Sequence, residues 1–183
     1  MKTSLLVLAF VSLSCMLIAD ETNLYPNPQY TVNEKISEQK NKLYIDCHWY
    51  GGDLYFDGEH KGCRVVKVKT VKVSWGGFQG GLASSRDLKP GKYTFSVWCK
   101  LKDKPSYVYL HYSCLPAGKE KRIRNTKHYK GSSVPKGKWL QLSMNFEVKP
   151  GDTKQSFAYD VQSSDELGPR IVWFSNPQIT PAQ

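Results

Sequence analysis

Three segments of the chain alternate apolar and polar residues with a period of two. In 92–101 (KYTFSVWCKL), Tyr93, Phe95, Val97, Cys99 and Leu101 share one face, while Thr94, Ser96, Trp98 and Lys100 share the other. In 107–114 (YVYLHYSC), Val108, Leu110, Tyr112 and Cys114 oppose Tyr107, Tyr109, His111 and Ser113. In 138–148, Leu140, Leu142, Met144, Phe146 and Val148 oppose Trp139, Gln141, Ser143, Asn145 and Glu147. Successive side chains of a strand point to opposite faces, so this pattern predicts half-buried antiparallel strands. Four further runs, 43–50, 64–73, 156–162 and 170–174, read as strands. Gly51-Gly52, Asp57-Gly58, Gly76-Gly77, Pro90-Gly91, Gly137 and Pro150-Gly151 read as the turns between them. Only 33–41 suits a helical turn, and it has almost no apolar face. Many short strands punctuated by turns predict an all-β chain folded as an antiparallel β-sandwich. Phe95, Val97, Leu110, Leu142, Phe146 and Phe157 are expected in its core.

Composition narrows this picture. The chain has 183 residues, 40% hydrophobic and 13% aromatic, which excludes a disordered protein. A chain of this size buries roughly 70% of its unfolded surface and needs no metal or disulfide to hold a core. No repeat or linker interrupts it, so one domain is expected.

The N-terminus bears on compartment. Lys2, the apolar run from Ser4 to Ala19 and the acidic Asp20-Glu21 describe a secretory signal peptide. The run is short of the ~20 residues that span a bilayer. The expected division is a signal peptide over 1–19 and a secreted or periplasmic β-sandwich over 20–183, with no membrane span after cleavage. Lipid attachment at Cys15 is the secondary reading. Cys47, Cys63, Cys99 and Cys114 then remain, and three disulfide connectivities are open to them, as is the thiol state. No Cys/His spacing suits structural zinc.

Several segments resemble secreted carbohydrate-binding modules of families four, nine and twenty-two, galactose-binding-like jelly-roll domains. Asn23-Leu24-Tyr25-Pro26-Asn27-Pro28 is similar to their N-L-x-x-N-P opening, and 88–100 (LKPGKYTFSVWCK) to their L-x-P-G-x-Y-x-F-S-x-W-x-K strand. Gly137-Lys138-Trp139 with Phe146 resembles a later G-x-W … F strand, and 174–179 stands where the family closes. The resemblance spans 23–179 and implies a jelly-roll β-sandwich that binds glycans and performs no chemistry. Members often hold a structural calcium on acids of the opening and closing motifs. Thr31 and Ser175 or Asn176 stand at those places, and a hard cation needs carboxylate oxygens, so the expectation is no cofactor, with a weakened calcium site as the alternative.

Parity suggests a site without the family. A sugar presents an apolar C–H face and a polar rim, and its reader needs flat rings beside hydrogen-bonding groups. If 92–101 and 107–114 form a hairpin, Trp98 falls beside Tyr107, Tyr109 and His111 on the face away from the core. The glycine-rich loop 74–81 offers Trp75 and Phe78 as a second stacking site. A plainer reading packs all these rings against other layers.

Charge adds the third clue. The chain carries +10, and residues 115–140 hold eight Lys/Arg against one Glu. A localised field attracts polyanions. Arg122 and Arg124, expected in a long exposed loop, can each offer two parallel donors to a carboxylate or sulfate. Export and the lack of a recognition helix argue against nucleic acid.

No nucleophile elbow, HExxH or P-loop is present. The expected function is therefore that of a non-catalytic binder of polysaccharide, acidic chains included, through an aromatic face and a basic loop. The alternatives are a structural or adhesion module and, less favoured, a small polysaccharide lyase or glycoside hydrolase.

Overall fold

The structure, a computed structural model, describes residues 23–25, 47–50, 53–69, 75–81, 87–105, 107–162 and 170–182; of 47–50, 53–56, 69 and 75–81 it describes the backbone alone. The described strands are β1 (Cys47–Tyr50), β2 (Asp53–His60), β3 (Cys63–Lys69), β4 (Trp75–Gly81), β5 (Gly91–Leu101), β6 (Tyr107–Leu115), β7 (Ile123–Lys130), β8 (Leu140–Val148), β9 (Thr153–Gln162) and β10 (Ile171–Pro181). They form two five-stranded sheets, sheet A in the order β1-β4-β9-β6-β7 and sheet B in the order β2-β3-β10-β5-β8. Every pairing within the sheets is antiparallel. The architecture is the expected jelly-roll β-sandwich.

The apolar faces read from the alternation meet between the sheets. All six expected core residues are buried. Phe146 of β8 stacks near Tyr93 at 5.6 Å and reaches across to Tyr112 at 4.4 Å and Phe157 at 5.3 Å. Tyr25 lies parallel to Phe95 at 5.8 Å, while Asn23 Oδ1 accepts from the backbone N–H groups of Tyr25 and Ile179. The Asn-Leu-Tyr opening is thus sewn onto β10, beside the irregularity between Ser175 and Gln178 where Asn176 takes a positive φ of 48°.

Four local expectations need correction. First, β5 and β6 do not form a hairpin: β5 pairs with β8 and β10, and β6 with β7 and β9. The chain leaves sheet B after Leu101 through 102–105 and enters sheet A at Tyr107. Both strands carry an apolar face, and such faces can be satisfied by lying opposite each other as well as side by side. Alternation cannot distinguish the two. Gly131 fixes the crossing, since a Cβ there would lie 1.9 Å from the Pro105 carbonyl oxygen.

Second, 123–130 is not a loop but the edge strand β7, and only Gly131–Ser133 beyond it turns as a 3-10 segment. An edge strand exposed on both faces has loop-like composition. Third, 75–81 is not a glycine-rich loop but β4, bonded on both sides by β1 and β9. Fourth, Asp57-Gly58 is no turn; it sits at a register shift within β2, and the chain reverses at Lys61-Gly62, both with positive φ (52° and 70°). Strand β10 also runs on past 174 to Pro181. The 33–41 segment, Thr31, the expected signal peptide over 1–19 and Gly51-Gly52 lie outside the described residues.

Cys99 and Cys114 are buried free thiols, so neither joins a disulfide. Burial pushes the Cys99 thiol far up from its ordinary range, which keeps it protonated and inert.

Candidate functional site

Register determines which residues share the outer face of sheet A. On β6 and β9 the directly opposed pairs are Tyr107 with Gln162, Tyr109 with Asp160, His111 with Ala158 and Ser113 with Ser156. On the other side β7 sets Lys130, His128, Thr126 and Arg124 against those same four β6 residues. At the far side, Trp75 takes the register position opposite Gln162, whereas Phe78 takes the one opposite Tyr159.

One end of this face is built of rings. Tyr109 stacks on His111 at 5.6 Å with 10° between planes, leans on Tyr107 at 5.7 Å, and meets the edge of His128 at 4.9 Å. The Tyr109 hydroxyl donates to Gln162 Oε1. Burial first, then the Asp160 carboxylate and Tyr107, raise the Tyr109 phenol, which stays a neutral donor. Tyr109 is only 6% exposed. It supports the face from beneath, while the half-buried Tyr107 and exposed His128 present the accessible ring surface.

The centre is a buried polar chain. His111 Nε2 lies 2.9 Å from Asp160 Oδ2, and its Nδ1 lies 2.8 Å from Thr126 Oγ1. Asp160 is fully buried and His111 nearly so. Burial of such groups is tolerable only when they are bonded, and two bonds at opposite ring nitrogens fix the imidazole plane.

Beyond His111 the side chains shrink to Ser113, Ser156 and Ala158, and the face sinks into a cavity of about 250 Å³ lined also by Arg122, Ile123 and Arg124. Arg122 reaches over its rim. Its Nη2 donates to the Lys154 carbonyl and, at 2.7 Å, to Ser156 Oγ, with Ser113 Oγ at 3.4 Å. All three acceptors are neutral, and among the described residues no carboxylate lies within 4.0 Å of this guanidinium. The arrangement is a positioned cation whose charge is left uncompensated at a polar hollow. It suits an anionic group better than bond-making chemistry.

Trp98 is not part of this face. It lies on the outer face of sheet B, where His60 meets it edge-on at 5.2 Å and the Lys61 ammonium sits 3.8 Å from its ring centroid. The single strip of Trp98, Tyr107, Tyr109 and His111 is thus divided between opposite sides of the sandwich, because it rested on the β5–β6 hairpin. Tyr107, Tyr109, His111, Arg122 and Arg124 do come together. Sequence reasoning missed Asp160, Thr126, Gln162, Ser113 and Ser156. Asp160 has the opposite parity to the buried Phe157, but nothing in the sequence signals a partner 49 residues away.

For calcium, the donor set near the closing motif is poor. Ser175 is fully buried, and its hydroxyl lies 3.3 Å from each of the carbonyl oxygens of His60, Cys63 and Arg64, with no carboxylate among them. Among the described residues no three His, Cys, Asp or Glu side chains group to hold a metal. A neutral hydroxyl does not replace the acid a hard cation requires.

A two-sheet jelly roll with rings and polar groups on one face defines a class of glycan-binding sandwiches. The chain belongs to the family described as "Carbohydrate binding domain", of the type uniting modules four and nine, which matches residues 46–165. Solved structures share the fold at low identity. TmCBM61 in complex with β-1,4-galactotriose is 12% identical with a TM-score of 0.57, over 87% of this chain and 99% of that one. The C-terminal family 22 carbohydrate binding module of Clostridium thermocellum Xyn10B is 14% identical with a TM-score of 0.53, over 75% and 86%. Family 16 Carbohydrate Binding Module-2 is 15% identical with a TM-score of 0.51, over 72% and 89%. Among curated proteins none matches the chain.

Proposed function

We propose that the protein is an exported, non-catalytic binder of acidic polysaccharide, which it seats across the outer face of sheet A. The observation that carries this reading is Arg122, held by neutral acceptors over the cavity and close to the ring cluster. A uronate or sulfate there gains a charge-assisted donor from the remaining N–H groups of Arg122, while Tyr107 and His128 offer flat surface to a neighbouring sugar. The His111–Asp160–Thr126 chain keeps the floor rigid, so little ordering is lost on binding. Arg124 adds a second guanidinium at the wall, and the exposed Lys127 and Lys130 add field without geometry. No cofactor enters the reading. Export rests on the apolar leader; N-terminal sequencing of the secreted protein should begin at Asp20.

Binding of hexagalacturonate and of neutral cellohexaose, measured from low to high salt, tests the proposal. The acidic ligand should bind tighter and weaken as salt rises, since the Debye length falls from about 10 Å at 0.1 M to about 3 Å at 1 M. Arg122→Gln with Arg124→Gln should weaken it more than Lys127→Gln with Lys130→Gln. Equal, salt-indifferent affinity for both sugars would remove the acidic ligand. No binding to either would favour an adhesion module acting through the exposed basic strand β7.

A further inference from the structure

The outer face of sheet B is not used by that binding mode, yet it carries a second ring cluster. The β2–β3 hairpin curls over it, so that His60 stacks on Trp139 at 4.1 Å while meeting Trp98. The Lys100 ammonium lies between two indoles, 5.0 Å from Trp139 and 4.7 Å from Trp173. With Lys61 over Trp98, three tryptophans and two ammoniums form one continuous surface. Trp98, Trp139, Trp173 and Lys100 are each partly exposed.

Charge on this surface is unbalanced. An ammonium over an indole is attracted by the ring quadrupole, but the ring cancels none of its charge. Among the described residues neither Lys61 nor Lys100 has a carboxylate within 4.0 Å. Lys67 differs, pairing with Asp57 at 3.7 Å, and Asp57 also accepts from Trp173 Nε1. The acid of the cluster is therefore already engaged. His60 Nε2 is buried and has no hydrogen-bond partner among the described residues. Burial first, then Lys61 and Lys100, lower the His60 pKa from its ordinary 6.5, so the ring is neutral at pH 7 and reports a positive surrounding.

We propose that this face is a second glycan surface, specific for carboxylate-bearing chains, and that the protein ties separate polysaccharide chains together through its two opposite sides. A polyuronate presents carboxylates at intervals separated by apolar C–H faces, which matches ammoniums set among indole rings. A protein partner matches less well. The cations set among the rings are the lysines Lys61 and Lys100, and lysine is depleted at protein interfaces, where arginine is the favoured cation. Beside the rings, Gln141 bonds Ser96 and Thr94 bonds Asn145, a polar row that suits sugar hydroxyls. Because the two faces point away from each other, one short oligosaccharide cannot span them, but a long polymer population is cross-linked.

The inference rests on the polysaccharide reading, and one experiment separates the two. Equilibrium dialysis of the mature chain against labelled hexagalacturonate counts sites, and light scattering with polygalacturonate detects cross-linking. Two sites are expected in the native protein. Arg122→Gln should leave one, and Lys61→Gln with Lys100→Gln should leave the other, each abolishing the scattering. Lys100→Arg, which keeps the cation between the indoles, should retain both sites and so guards against a mere folding defect. A single native site lost in Arg122→Gln, or two sites surviving the double lysine change, overturns the second face alone. A single site lost only in the lysine variant keeps this face and removes the first. No binding in any form overturns both.

Discussion

On the outer face of sheet A the central groups are polar and held by hydrogen bonds, whereas on that of sheet B they are partly exposed rings held by stacking and ammoniums. Asp160, His111 and Thr126 form a directional chain, in which each member fixes the next. His60, Trp98 and Trp139 are held by ring contacts and by lysines that can swing away, and Trp173 by a lysine and by its hydrogen bond to the exposed Asp57. Hydrogen bonds specify angle as well as distance, while stacking and cation–π contacts tolerate sliding. Sheet A thus supplies a preformed hollow, and sheet B a more adaptable surface.

The two faces share one core, and the largest effect should come from there. Phe146→Ala removes a ring that touches both sheets and should cost about 3–5 kcal/mol, measured by urea unfolding. A loss confined to the sheet B surface, with the sheet A site untouched, would show that the layers are not coupled through this ring. Next is the polar chain. Asp160→Ala leaves His111 without its carboxylate and should cost roughly 1.5–3 kcal/mol. Asp160→Asn should recover part of this, and it should loosen binding on sheet A while leaving sheet B unchanged. Equal effects at both faces would mean that the chain supports the whole fold and not the one site.

The crossover that separates the faces gives an effect of comparable or smaller size. Gly131→Ala drives a methyl into the Pro105 carbonyl, and the 102–105 segment must shift. Overpacking of this kind costs about 1–3 kcal/mol. Thermal unfolding should show it, whereas Gly118→Ala, where the added Cβ meets nothing but φ is 68°, registers only backbone strain. If the two variants are equally stable, the crossover is not pinned at Gly131.

Much of this architecture was legible in the chain, and the parts that were not share a cause. Phe95, Val97, Leu110 and Leu142 announced themselves because each strand has one apolar face and the period is two. β7 and β4 did not, since one is an edge strand wetted on both sides and the other has four glycines in seven residues. Parity assigned Tyr107, Tyr109 and His111 to one outer face correctly. It could not say that Trp98 belonged to the other layer, because parity is a property of one strand and layer is a property of pairs. The approach of Arg122 to Ser156, 34 positions on, likewise has no local signature.

The smallest predicted effect concerns pH and distinguishes the faces by their histidines. His60 has a native pKa below its ordinary 6.5, caused first by burial and then by Lys61 and Lys100. The unfolded chain therefore takes up this proton before the folded one as pH falls. Stability from His60 is fully present above about 6.5 and drains away on acidification through that value, until below the native pKa both states are protonated and the loss is complete. The ring is partly exposed, so the change should be slight, a small drop of the thermal midpoint between pH 7.5 and 5. His60→Gln should flatten that part of the profile, and Lys61→Gln with Lys100→Gln should reduce it by removing two of its causes. If instead the midpoint of His60→Gln falls as steeply as that of the native protein, the ammoniums do not act on this imidazole. The positive field assigned to sheet B would then have to come from elsewhere.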